Sequence, residues 1–158
     1  MKKIKDFIRK NIILILLSIV LIFGILLGTN IIFKDNYLEF NNDGILLTYT
    51  VTPVYGQFSE MYDIVTKIYN NGKIEILHDN QIVDTFTIGE NHIKSLQNEI
   101  ARVNFMELDE DVSTISADGG YYSITVNTKT KTHTSKGLNP SDKRFCKLET
   151  AIKNMTEK

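Results

Sequence analysis

Cysteine is nearly missing from this sequence, which limits how the fold can be held together. Cys146 is the only cysteine, so no disulfide can form within the chain. Its place between Phe145 and Leu148, in the predicted last helix, favours a small residue at the core boundary over a reactive thiol. About 125 residues follow the hydrophobic run described below, enough for one modest core without a disulfide or metal staple.

Recognisable metal-binding, phosphate-binding and catalytic patterns are also missing. No two of His78, His92 and His133 are three or four residues apart, so they predict no metal site on a helix. The acidic segment 107–111 lacks the glycine and the twelfth-position glutamate of a calcium-binding EF-hand loop, and we interpret it as a solvated loop. The sequence contains no G-x-S-x-G, P-loop or G-x-G-x-x-G pattern. We therefore expect no cofactor, no metal site and no catalytic residues.

A clustered basic surface is missing outside the first ten residues. Residues 1–10 contain five basic residues and one acid, which makes this leader about +4. The remainder of the chain is then about −5, because the formal net charge of the whole is −1. Binding of nucleic acid phosphates needs a clustered basic surface, so we expect no nucleic acid partner.

One long hydrophobic run is present near the N-terminus. Residues 11–33 contain no charged side chain, and about 20 apolar residues suffice to span a bilayer core. The run is too long for the apolar part of a cleaved signal peptide, and cleavage after Gly28 would place the bulky Leu26 at the third position back. We predict an uncleaved single-pass anchor in the cell membrane. The basic leader 1–10 then lies in the cytoplasm and the C-terminal domain outside it, by the positive-inside rule.

The predicted anchor contains a possible packing motif. Gly24 and Gly28 form a G-x-x-x-G pattern, which allows two membrane helices to approach closely. This pattern predicts a weak homodimer through the transmembrane helix. Because glycine is common in membrane helices, a purely compositional explanation remains as the alternative.

The residues after the anchor predict a polar spacer, 34–44, and one extracytoplasmic domain, 45–158. Hydrophobic residues alternate in four segments and later in two more, with Asn-Gly and Asp-Asn turn signals between them. The predicted strands are 45–54, 61–69, 74–78, 82–88, 122–126 and 132–136. In the fourth, Ile82, Phe86 and Ile88 recur with a period of two.

Two segments predict helices. Ile93, Leu96, Ile100 and Val103 recur every three or four residues, and Thr87 with Glu90 fits a capping box at the start. A second stripe runs from Phe145 to Met155 through Leu148 and Ile152, with Asn139 as the predicted N-cap and Pro140 at the first helical position. The order β-β-β-β-α-β-β-α with short connections predicts an α+β, two-layer domain. Its antiparallel sheet would carry both helices on one face.

Exposed aromatic residues are the candidates for partner binding. Several tyrosines follow the first predicted strands, and some of these rings must fill the core. Tyr55, Phe58 and Tyr121 fall at predicted loop tips, where large rigid rings could anchor a protein partner.

One segment resembles a known family. Residues 118–126, Asp-Gly-Gly-Tyr-Tyr-Ser-Ile-Thr-Val, are followed by a short hairpin and the predicted helix 140–155. This arrangement resembles emfourin-type inhibitors of thermolysin-like metallopeptidases. The resemblance implies a small α+β domain in which a loop, 55–59 or 117–121, would occupy the cleft of a peptidase.

Three functional hypotheses follow. The first is a membrane-tethered, non-enzymatic binding or accessory module that contacts an envelope component or a secreted protein outside the cell membrane. The second is inhibition of an extracellular metallopeptidase. The third is an enzyme whose acids, for example Asp63, Asp84 and Asp118, meet only in the fold.

Overall fold

The computed structural model of this chain describes residues 38–54, 62–115 and 119–156. The predicted leader and anchor, including Gly24 and Gly28, lie outside these ranges. In the three described ranges no helix is long and apolar enough to cross a membrane.

An antiparallel sheet forms the centre of the domain. Within the described residues it has six strands in the spatial order β4-β3-β2-β1-β5-β6. The strands are β1 (Ile45–Val54), β2 (Ile64–Tyr69), β3 (Lys73–His78), β4 (Gln81–Thr87), β5 (Gly119–Asn127) and β6 (Thr132–Leu138). Two α-helices, α1 (Glu90–Arg102) and α2 (Lys143–Thr156), and one 3-10 helix (Phe105–Glu107) complete this part of the chain. The predicted α+β class with an antiparallel sheet is confirmed.

Tight turns join the first strands, as predicted. Gly72 has φ +87, and a Cβ there would collide with the carbonyl oxygen of Ile88, so glycine is required for both reasons. Asp79 and Asn80 have φ +46 and +66, the pair of positive values that a two-residue hairpin turn needs. These turns set the antiparallel register of β2, β3 and β4.

The helices and one face of the sheet share a single core. Strand register places alternate residues of β1, β2, β3 and β5 on that face. The buried strand residues include Leu47, Tyr49, Ile68, Ile74, Ile124 and Val126, and the buried helix residues are Ile93, Leu96, Ile100, Phe145, Leu148 and Ile152. The core extends into the predicted spacer, because Leu38 and Phe40 pack against it.

Both predicted helix caps are wrong. Helix α1 has Gly89 as its N-cap and no side-chain cap bond, so Thr87 does not form a capping box. Asp142 caps α2: its Oδ1 accepts hydrogen bonds from the N–H groups of Arg144 at 2.7 Å and Phe145 at 3.3 Å. Asn139 instead holds a left-handed turn with φ +45. Asn and Asp are both suited to an N-cap and to a left-handed turn. Which of the two roles each residue takes depends on its tertiary contacts.

A bulge interrupts the period of the fourth strand. Asp84 pairs with Ile76 and Ile82 pairs with Leu77, so Val83 is the extra residue. Ile82 is thereby shifted away from the face that carries Phe86 and is 57% exposed. The predicted common face for Ile82, Phe86 and Ile88 therefore does not form.

Candidate functional site

The face of the sheet opposite the core carries an array of hydroxyl side chains, which we call the hydroxyl face. Cross-strand pairing places the residues of this face in three rows over β1, β5 and β6, and all of them except Lys136 and Leu138 carry a hydroxyl. The rows are Thr48, Thr125 and Thr134; then Thr50, Ser123 and Lys136; then Thr52, Tyr121 and Leu138.

Regular strand geometry sets the spacing of this array. Neighbouring strands lie about 4.8 Å apart and alternate residues of one strand about 6.7 Å apart. Within the first row the Oγ1 atoms of Thr125 and Thr134 are 2.9 Å apart and share a hydrogen bond. Threonine is stiff at χ1, so these hydroxyls are held in place before any partner arrives.

A charged cluster continues the same face over β2 and β3. Glu75 is 7% exposed and pairs across the strands with Lys67. It accepts a hydrogen bond from the Tyr69 hydroxyl at 2.7 Å and forms an ion pair with Lys73 at 2.6 Å. The bonds from Lys73 and Tyr69 hold the pKa of Glu75 below its ordinary value. The carboxylate is therefore ionised and already paired, which suits a structural role better than proton transfer.

A second polar cluster lies at the edge of the core, where α2 meets β1. The hydroxyl of Tyr49, a residue 5% exposed, donates to Glu149 Oε1 at 2.7 Å. Glu149 also pairs with Lys153 at 2.9 Å. Burial and then the bond to Glu149 raise the pKa of Tyr49. Sequence analysis missed this cluster. The available signal was the position of Glu149, which lies four residues after Phe145 and therefore on the predicted apolar stripe of this helix.

Cys146 lies half-buried beside this cluster. Its thiol is 3.5 Å from the carbonyl oxygen of Pro140. Burial, followed by the negative charges of Glu149 and Asp142, raises the pKa of the thiol. A protonated thiol is a poor nucleophile, in agreement with the predicted boundary role.

The predicted loop-tip position of Tyr121 is wrong, because strand β5 begins at Gly119. Tyr121 is half-buried on β5, where it pairs with Thr52 and Leu138 at one end of the hydroxyl face. Tyr55 and Phe58 lie outside the described residues.

The acids of the enzyme hypothesis do not come together in the described part of the chain. Asp63 directly precedes β2 and lies beside the β3–β4 turn, where its N–H donates to Asp79 Oδ1 at 3.2 Å. Asp84 lies further along β4 opposite Ile76, and Asp118 is outside the described residues.

The histidines have structural neighbours. His78 stacks on Tyr62 with ring centroids 4.4 Å apart, and His133 makes an edge contact with Phe105 at 5.6 Å. His92 is exposed on α1. Among the residues that the structure describes, no group of three or more His, Cys, Asp or Glu could hold a metal ion.

The two glycines of the emfourin-like segment form a close contact with the loop before α2. Gly119 has φ +143, and a Cβ there would overlap the amide of Asn139. Asn139 Oδ1 accepts a hydrogen bond from the Gly120 N–H at 3.1 Å, and the Asn139 N–H donates to the Gly120 carbonyl at 3.0 Å. These glycines are explained by packing at the start of β5.

Comparison with known proteins gives no assignment. The sequence matches no protein-family model and none of the curated proteins. The resemblance to emfourin-type inhibitors therefore stays a prediction.

Proposed function

We propose that this chain is a membrane-tethered, non-enzymatic binding module whose outer domain contacts a secreted protein or an envelope component. The single observation that carries the binding role is the hydroxyl face, with three aligned rows over β1, β5 and β6. The uncharged run 11–33 and the basic leader before it support the tether.

The physical argument is preorganisation. Each threonine hydroxyl both donates and accepts hydrogen bonds, and its branched side chain has few rotamers to lose on binding. A flat array of this kind lowers the entropic cost of an interface. Tyr121, in the middle of the third row, supplies the large rigid ring that binding hot spots favour.

Four acidic side chains of the described residues are engaged in the fold, which suits a binding role better than catalysis. Glu75 and Glu149 are held by tyrosine and lysine partners. Asp142 caps a helix, and Asp111 accepts bonds from the N–H and the hydroxyl of Ser113 at 2.9 and 2.6 Å. An acid that is fully engaged in the fold is poorly suited to exchange protons with a substrate.

Site-directed photo-crosslinking in intact cells tests this function. A photoreactive benzoylphenylalanine replaces Thr50, in the middle row of the hydroxyl face. The matched control places the same group at Lys147, which is exposed on α2. We expect a discrete adduct from position 50 and none from position 147. Absence of an adduct from position 50, or equal labelling from both positions, would contradict the proposal.

Peptidase inhibition remains the second hypothesis. Residues 55–59 and 117–118 lie outside the described residues, and residues 119–121 belong to β5. The geometry of neither loop therefore supports it. Full-length protein that leaves a thermolysin-like peptidase fully active at a large molar excess would exclude it.

A further inference from the structure

The outer edge of β4 differs from the other edge of the sheet. At the far side, the segment after the 3-10 helix covers β6: the Val112 N–H donates to the Lys136 carbonyl and the Thr114 N–H to the Leu138 carbonyl, both at 2.9 Å. No described segment pairs with β4 on its outer side. Within the described residues, backbone hydrogen bonds cover the β6 edge of the sheet, whereas the β4 edge has no strand beside it.

The backbone of β4 presents hydrogen-bonding groups on that outer side. The Ile88 N–H donates to the Gly72 carbonyl at 2.9 Å. Ile88 and Gly72 are therefore a hydrogen-bonded pair, and the backbone groups of Ile88 point towards β3. Because hydrogen-bonded and non-hydrogen-bonded pairs alternate in an antiparallel ladder, the pairs Thr87 with Lys73 and Thr85 with Glu75 are non-hydrogen-bonded ones. The N–H and C=O groups of Thr85 and Thr87 consequently point away from β3.

The side chains of β4 favour strand pairing. Ile82 and Val83 are 57% and 53% exposed, and Thr85 and Thr87 are exposed as well. All four are β-branched, the type enriched in strands. Residues 81–87 include no lysine, arginine or proline, the usual blockers of an edge. The bulge at Val83 leaves residues 84–87 regular.

We propose that the edge of β4 pairs with β4 of a second copy of this chain, which joins two sheets into one across a two-fold axis. Antiparallel pairing of identical strands is self-complementary, as a two-fold interface requires. If the axis passes through Thr85, the two Thr85 residues exchange both hydrogen bonds. Asp84 is the only charged residue of β4, and in this register it faces Phe86 of the other copy, not a second aspartate.

Cysteine crosslinking of the full chain in mild detergent tests the pairing. In a Cys146→Ser background, Thr85→Cys places two thiols at the proposed axis, within the Cα separation that a disulfide allows. Thr132→Cys is the matched control, because Thr132 is exposed on the covered edge strand. We expect rapid disulfide dimer formation from Thr85→Cys only, also when Gly24→Leu and Gly28→Leu remove the predicted anchor contact. Equal dimer yields from the two cysteines would overturn the proposal.

A proline variant supplies the second measurement. Thr85→Pro removes an outward N–H and leaves the bonds between β3 and β4 in place. Sedimentation velocity should show dimerisation weakened by about tenfold or more, since two hydrogen bonds at the axis are lost. Thr85→Lys, which sets two like charges at the axis, should act in the same direction if the proline variant does not fold. Wild-type protein that is monomeric at high concentration, or folded variants that associate like it, would exclude this interface.

Discussion

At the scale of single residues, the most informative contact joins Tyr49 to Glu149 at the edge of the core. A carboxylate near the core must be paired to offset its loss of hydration. Here the tyrosine hydroxyl and Lys153 supply the two partners, at 2.7 and 2.9 Å. The contact also links the central strand β1 to α2, two elements about a hundred residues apart in the sequence. It therefore ties the last helix to the sheet by a directional bond in addition to apolar packing.

Tyr49→Phe should lower the free energy of unfolding by about 1–3 kcal/mol, because it removes one hydrogen bond to a charged group and little volume. Denaturant unfolding at neutral pH measures the difference. Tyr69→Phe is the control: it removes a 2.7 Å bond of the same type to Glu75 on the hydroxyl face. We expect a smaller loss there, since Tyr69 is only partly buried whereas Tyr49 is 5% exposed. Equal losses would argue against a special role for the buried contact.

The same pair predicts a pH dependence. Burial and the bond to Glu149 raise the pKa of Tyr49 above its ordinary value, whereas an unfolded tyrosine ionises near about pH 10. The stabilising contribution is complete below that pH and is lost as the pH rises above it, by up to about 1.4 kcal/mol per pH unit. Tyr49→Phe lacks this contribution, so the stability gap between wild type and variant should narrow above about pH 10. Parallel pH profiles would contradict this assignment.

At the scale of elements, the start of α2 shows how a cap is selected. Asn139 and Asp142 are both suitable N-cap residues, and the Pro140 that follows Asn139 favours the earlier start. In the fold, Asn139 is held by Gly120. The helix accordingly begins three residues later than predicted, at Lys143, with Asp142 as its cap.

Asp142→Ala should destabilise the domain by about 1 kcal/mol, whereas Asp142→Asn should keep most of the cap. Burial opposes the ionised form of Asp142. The N–H groups of Arg144 and Phe145 and the Arg144 guanidinium outweigh it and hold the pKa of this carboxyl below its usual range. Its contribution is therefore present above about pH 4 and is lost as the pH falls through the lowered pKa. Urea unfolding between neutral and acid pH should show an acid-dependent loss in wild type that Asp142→Asn lacks. Identical acid profiles of the two proteins would show that Asp142 does not cap α2 as an anion.

At the scale of the whole molecule, the proposed function depends on the tether. Full-length protein should stay in the membrane pellet after alkaline carbonate extraction, and a C-terminal tag should be digested by protease added outside spheroplasts. Ile22→Arg places a charge in the middle of the run 11–33 and costs roughly 3 kcal/mol of insertion free energy, so it should shift protein to the soluble fraction. Asn42→Arg, at an exposed position beyond the run, is the matched control and should leave the membrane fraction unchanged. Wild-type protein released by carbonate would remove the tether from the proposal.

Local sequence patterns determined much of the domain, because local rules suffice for them. Alternation placed most of the strands, the Asn-Gly and Asp-Asn pairs placed two turns, and the stripes through Leu96 and Leu148 placed both helices. These features depend on side chains only a few residues apart, whose spacing is set by the strand and helix periods.

Only the tertiary structure decided the features that depend on distant residues. Four features require strand register or contacts between separate elements. They are the bulge at Val83, the capping of α2 by Asp142, the bond between Tyr49 and Glu149, and the hydroxyl rows. A threonine in a strand has the same local signal on either face. Whether a strand threonine is buried depends on the register, which the turns determine, and on which side of the sheet the helices cover. Here the threonines of β1, β5 and β6 are aligned on the uncovered side.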